Sequence, residues 1–236
     1  MALAPIAVAY IVLPRGQWAL IWLLVVPLIG HLVAYYIGNW YKKKLLAQGI
    51  VPWQINRTYL NLVEAFKTKN NKRIVQLSAD LGHYVADAHV PLHTTSNYNG
   101  QYTNQIGIHA LWETRIPEMY MGQYDLFIGP AQYIKDPVEY AWKIVRESNA
   151  LVDSVLQIEK NLSNTFKSTE IRSYIERNNQ LIQTYSDKYV EAYDLALNGM
   201  VQRRFKSAIH AVSSFWYSAW IDAGQPKLNS IQDSGA

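Results

Sequence analysis

The chain has 236 residues, a net charge of +4 and a pI near 9.0, with half of its residues hydrophobic and no cysteine. That length suits one domain of roughly 190 residues with a sizeable core, beside an apolar leader. The missing cysteine excludes a disulfide framework and any thiolate ligand, and the charge excess is too small to argue for nucleic acid by itself, since Lys42, Lys43 and Lys44 supply much of it.

Residues 1–41 are strongly apolar, with Arg15 their only charged residue, and from Gly16 to Tyr41 there are 26 residues without Asp, Glu, Lys or Arg. Such a stretch is long enough to cross a hydrocarbon core of about 30 Å, and Pro27 and Gly30 do not exclude a span. Lys42 to Lys44 then mark the cytoplasmic side. A signal peptide fits poorly: no basic residue precedes the apolar run Ala2 to Leu13, and no A-x-A site follows it. Composition changes abruptly at Lys42, so the division expected is an apolar segment over 1–44, a helical domain over 45–226 and a loose polar tail over 227–236.

Downstream, the pattern is helical. Gln54 to Lys67 carries apolar residues at helical spacing, and Asn71 to His89 and Gly107 to Met121 follow as two further helices. Asp136-Pro137 is a helix start, an N-cap followed by a first-turn proline, leading a helix expected to reach about Leu162. Ser168 or Thr169 opens another, expected to stop at Asn198-Gly199, and the last covers Val201 to Ala223. The class expected is all-α.

Between Leu81 and Glu118 the residues carry chemistry. Four of the six histidines fall there. His83 and Asp87 are four residues apart, as are His109 and Glu113, so each pair shares one helical face with about 5–6 Å between Cβ atoms. His93 follows Pro91, which ends the first helix and puts this imidazole on the turn leading away. One H-x-x-x-D pair is cheaply explained as a surface ion pair. Five candidate ligands within 31 residues point instead to metal, and they exceed the three protein ligands of one open zinc site. At least two ions are expected if the segments converge.

These residues resemble the superfamily that joins zinc-dependent bacterial phospholipase C to the single-strand-specific nucleases of the S-one/P-one type. The motif H-x-x-x-D-x-x-x-x-x-H is met by His83, Asp87 and His93, and H-x-x-x-D/E by His109 and Glu113. Asp87 to His93, Gly100, Thr103-Asn104 and the run from Trp112-Glu113-Thr114 to Pro117-Glu118 are similar to the nuclease branch, whereas Glu113 is the phospholipase choice of acid. The resemblance spans about Gly49 to Pro226. It implies a mostly helical protein holding up to three zinc ions: His83 and Asp87 on the first, Asp87 bridging to a third, and His93, His109 and Glu113 on the second. The reaction implied is metal-assisted phosphodiester hydrolysis, with Asp87 the most sensitive catalytic position. The substrate implied is single-stranded nucleic acid or nucleotides, with phospholipid head groups as the alternative and an inactive, metal-stabilised homologue as a third reading. No protein partner is expected. Family members are typically exported, so a secreted or periplasmic location is implied, against a membrane anchor if residues 16–41 span.

The chain departs from the family at its start. The terminal Trp, the early His and the further Asp and His that complete the first and third zinc sites are not legible; His31 is the only histidine before His83, and no Asp or Glu precedes Glu64. A membrane segment and a replacement of the family's N-terminal half both account for this. Among neighbours of the ligands, Tyr98 and Tyr102 are candidates to stack bases, with Tyr84 and Trp112 more plausible as packing residues. Arg115 is a candidate for a substrate phosphate or a salt bridge. His89, six residues from His83, does not share its helical face.

Overall fold

The computed structural model describes residues 29–39, 49–177 and 179–228. The chain divides into two compact units, Met1–Ile50 and Val51–Ala236. In the first, residues 29–39 form a helix with exposed side chains; the rest of the segment expected to span a membrane, and the Lys42 to Lys44 run, lie outside the described residues. Among the described residues, no helix is long and apolar enough to cross a membrane.

In the second unit, α1 (Val51–Lys67) and α2 (Asn71–Ala88) pack side by side. The Asn70 side chain caps α2 by accepting from the Arg73 N–H at 3.1 Å. α2 buries Ile74, Leu77, Leu81, Val85 and Ala88, a three-and-four spacing that keeps one stripe inward and leaves His83 and Asp87 off it. After α2, Pro91 opens a 3-10 turn (Pro91–Thr94), as its missing N–H requires. A long loop then leads to α3, which begins as Ile108–Ala110, passes through a π-helical turn at Leu111–Arg115 and ends as Ile116–Tyr120.

Two expectations need correction. The helix from Asp136 does not run to Leu162. It is capped as foreseen, Asp136 accepting from the Val138 and Glu139 N–H groups, but stops as α4 (Pro137–Asn149) and restarts as α5 (Val152–Ser163). The physical reason is that the two halves serve different cores. Ala141 and Ile144 of α4 join the cluster built from α1, α2 and the last helix, whereas Val155 of α5 joins the cluster of Leu111, Trp112, Ile116, Tyr189 and Tyr193. A straight helix cannot face both.

The second correction lies between Ser168 and Gly199, where one helix was expected. Only α6 (Ser168–Ile171) forms before an antiparallel hairpin, β1 (Arg172–Arg177) with β2 (Gln180–Tyr185), in the register Arg172↔Tyr185 to Arg177↔Gln180. Asn179 stands at φ 59° in the connecting turn, a left-handed conformation that asparagine accepts. β2 is exposed from Gln180 to Gln183 and turns inward only at its end, where Tyr185 anchors it in the second core. α7 (Asp187–Leu197) and α8 (Met200–Asp222) follow, separated by Asn198 and Gly199, both at positive φ. The unit is therefore mostly helical with one hairpin.

Candidate metal centre

Three of the five expected ligands come together. Glu113 Oε2 lies 2.6 Å from His109 Nε2 and 3.2 Å from His93 Nε2, and the ligand atoms of the three residues all fall within 4.8 Å of one another. They come from separate places: His93 from the 3-10 turn, His109 from the first turn of α3, and Glu113 from its π-helical turn. Single π turns inside helices recur at functional sites because the extra residue re-aims the side chains around it.

His109 is oriented from behind. Its Nδ1 donates to the Tyr98 carbonyl at 3.0 Å, which aims Nε2 at Glu113. A backbone carbonyl on the far nitrogen is the usual support of a metal-ligating imidazole. Tyr98 is held by a loop that closes on itself: Asn97 accepts from the Tyr102 N–H, and Asn99 accepts from the Gly107 N–H. Gly100 is obligatory there, with φ 73° and a Cβ position 2.4 Å from the Gln105 carbonyl oxygen. Gln105 in turn donates to the buried Glu159 carboxylate at 2.5 Å.

His93 is framed on both sides by the end of α4. Ser148 donates to the Ala88 carbonyl at 2.6 Å, and Asn149 Nδ2 donates to the Thr94 carbonyl at 3.0 Å, so residues 88 and 94 are pinned to one short segment. Arg204 of α8 completes the clamp, donating from Nε to the His89 carbonyl and from Nη2 to Ser148 Oγ. The sequence reading missed this trio. An arginine on the apolar stripe of the last helix, three residues after Val201, was the signal that pointed to it.

Electrostatics follow from the geometry. The two imidazoles hold the Glu113 carboxyl down to about 2, the His109 hydrogen bond contributing most. The same hydrogen bond, against opposing desolvation, raises His109 above its ordinary value. In this state both nitrogens of His109 donate, Nδ1 to Tyr98 and Nε2 to Glu113. A divalent cation would take the Nε2 lone pair and release that proton, leaving the Tyr98 bond intact. Donors around a tetrahedral zinc with bonds of roughly 2.0–2.1 Å stand about 3.3 Å apart. The observed 2.6 and 3.2 Å need only small outward shifts. Two imidazoles and a carboxylate are a donor set that fits zinc, with a fourth position left over for water.

The other pair does not join this group. His83 Nε2 lies 3.4 Å from Asp87 Oδ2, with His83 68% and Asp87 27% exposed, and no third ligand completes a cluster with them among the described residues. Asp87 is near enough to act electrostatically on His109. His89 is buried and bonds through Nδ1 to the Val85 carbonyl at 2.7 Å, and burial holds its imidazole down to about 4.

Of the remaining candidates, Tyr98 and Tyr102 are exposed on the ligand loop, while Trp112 is buried and Tyr84 packs against the first core. Arg115 takes the salt-bridge alternative: it donates to Glu118 at 3.0 Å and to Asp187 at 2.7 Å, so its guanidinium is committed between α3 and α7. No family model, no curated protein and no solved structure matches the chain.

Proposed function

We propose that this protein is a zinc-dependent phosphodiester hydrolase acting on single-stranded nucleic acid or nucleotides. The observation that carries the reading is the convergence of His93, His109 and Glu113 from a turn and two successive turns of one helix, with His109 aimed by the Tyr98 carbonyl. The resemblance of the ligand motifs to the phospholipase C and nuclease superfamily supplies the reaction. Zinc, when bound, would act as a Lewis acid on a phosphoryl oxygen and lower the pKa of a bound water. The chain's own residues do the rest. His93, His109 and Glu113 hold the ion, Asp87 supplies negative charge beside it, and Tyr98 offers an exposed ring with its centroid 6.4 Å from the His109 imidazole, with Tyr102 exposed on the same loop. Exposed aromatics beside a phosphate-handling centre are what sequence-tolerant base stacking uses.

A second reading is a protein holding a single zinc without turnover. It is favoured by the separation of His83 and Asp87 from the complete ligand set. Elemental analysis of tag-free protein purified without chelator, followed by hydrolysis of single-stranded DNA and of phosphatidylcholine under equal zinc, tests both. Two or more zincs with DNA cleavage lost in Asp87→Ala supports the hydrolase. One zinc and no cleavage of either substrate supports the second reading.

A further inference from the structure

On one side of the candidate metal centre lies a cleft of about 520 Å³ between α2, α3 and α8. Asp87 and Glu113 stand in its wall, whereas His93, His109, Tyr98 and Tyr102 do not. It is thus separate from the loop on which base stacking was placed. The remainder of the wall is apolar, built mainly from Trp112, Phe205, Ile209, Val212 and Trp216, with Trp216 and Ile209 more than a third exposed.

The polar groups in the wall narrow what fits. Arg204 is the wall's only full cation, and its guanidinium is already bound to the His89 carbonyl and Ser148. No free positive charge therefore waits for a sugar-phosphate backbone in this cleft. One neutral group is unspent. The His89 ring is fixed as the Nδ1–H form by the Val85 carbonyl, which leaves Nε2 with its lone pair. An apolar pocket with one acceptor and three aromatic side chains is suited to a flat, uncharged ring system.

We infer that the cleft is a binding subsite for an aryl group, and that a phosphate ester of such a group would lie with its phosphoryl end toward Asp87 and Glu113. The second half of this statement rests on the zinc reading above; the first does not. Ring burial against Trp112, Phe205 and Trp216 supplies affinity, and the unspent His89 acceptor orients a hydroxyl.

The test uses the full chain and three probes. Neutral 1-naphthol, titrated by ligand-observed magnetic resonance, reports on the cleft alone; zinc alone reports on the ligand set; 1-naphthyl phosphate reports on both. Saturable naphthol binding is expected with or without zinc. It should fall at least tenfold in Ala208→Trp, which fills the cleft from the half-exposed face of α8, and in Ile209→Asp, which puts a charge at its mouth. It should be unchanged in His93→Ala, which removes a metal ligand outside the cleft. Zinc should strengthen naphthyl phosphate binding at least tenfold in the native chain and not in His93→Ala. Absent naphthol binding, binding indifferent to both α8 variants in protein that retains its helical circular dichroism, or preference for 1-octanol over naphthol would overturn the aryl subsite. Naphthol binding without any zinc effect on the phosphate would leave the aryl subsite standing and remove the zinc reading.

Discussion

His93, His109 and Glu113 meet from three places in the chain, while His83 and Asp87 meet only each other, although both groups contain the same four-residue spacing. The difference is support. His109 has a carbonyl behind it, His93 sits in a turn pinned at residues 88 and 94, and Glu113 gathers both imidazoles on one oxygen. His83 stands 68% exposed on the open face of α2. Helical spacing makes a pair; a ligand set also needs loops that bring a third group in and fix its direction.

That contrast can be broken or sharpened experimentally. The largest effect is expected for Glu113→Ala, which removes the carboxylate both imidazoles share. Zinc affinity, measured by competition with a chromophoric chelator, should fall beyond the roughly 10–100-fold typical of losing an outer-shell partner. A smaller loss would mean the convergent group is not the zinc site. His89 offers a control from between the two groups, an imidazole that is buried and not among the converging ligands. Its folded-state value of about 4 lies below the ordinary 6.5, so its proton is taken up by the unfolded chain first. Its contribution costs nothing above pH 6.5, and stability should drain away as pH falls from 6.5 towards 4, by about 3 kcal/mol in all. Urea unfolding at pH 7, 5 and 4 checks this, and the slope should flatten in His89→Gln.

Next comes Gly100→Ala. A methyl group there meets the Gln105 carbonyl oxygen at 2.4 Å in a left-handed backbone, so the loop must move and carry the Tyr98 carbonyl off His109. Zinc binding should weaken by roughly 10–100-fold with the helices intact. The smallest effect is reserved for His83→Ala, expected to change affinity for the most tightly held zinc less than about tenfold, since the residue lies outside the complete set. If His83→Ala matches Glu113→Ala, the two groups form one centre in solution.

Much of this was legible beforehand. Asn71 to His89, the turn at Pro91 and the helix from Asp136 were announced by apolar spacing, proline and a capping aspartate, all local signals. The hairpin was not read because Arg172 to Tyr185 mixes charged and apolar residues in a way that also suits an exposed helix, and the left-handed turn position is taken by Asn179 rather than a glycine. The break at Ala150 was hidden for another reason: it answers to two separate cores, a tertiary fact with no local marker. Within the site, the residue types were visible, but which of them converge depends on contacts between positions such as Asn149 and Thr94, 55 residues apart.

The two cores give the ligand geometry a mechanical meaning. α2, with His83 and Asp87, belongs to the first cluster, α3, with His109 and Glu113, to the second, and His93 hangs on the connector between them. Val90 and Leu92 of that connector are already buried in the second cluster, and an ion held by His93, His109 and Glu113 would rivet it there. The free energy of capture would then be spent on suppressing partial opening at that seam, and amide protons of residues 89–95 would exchange more slowly on loading while those in the middle of α1 kept their rates.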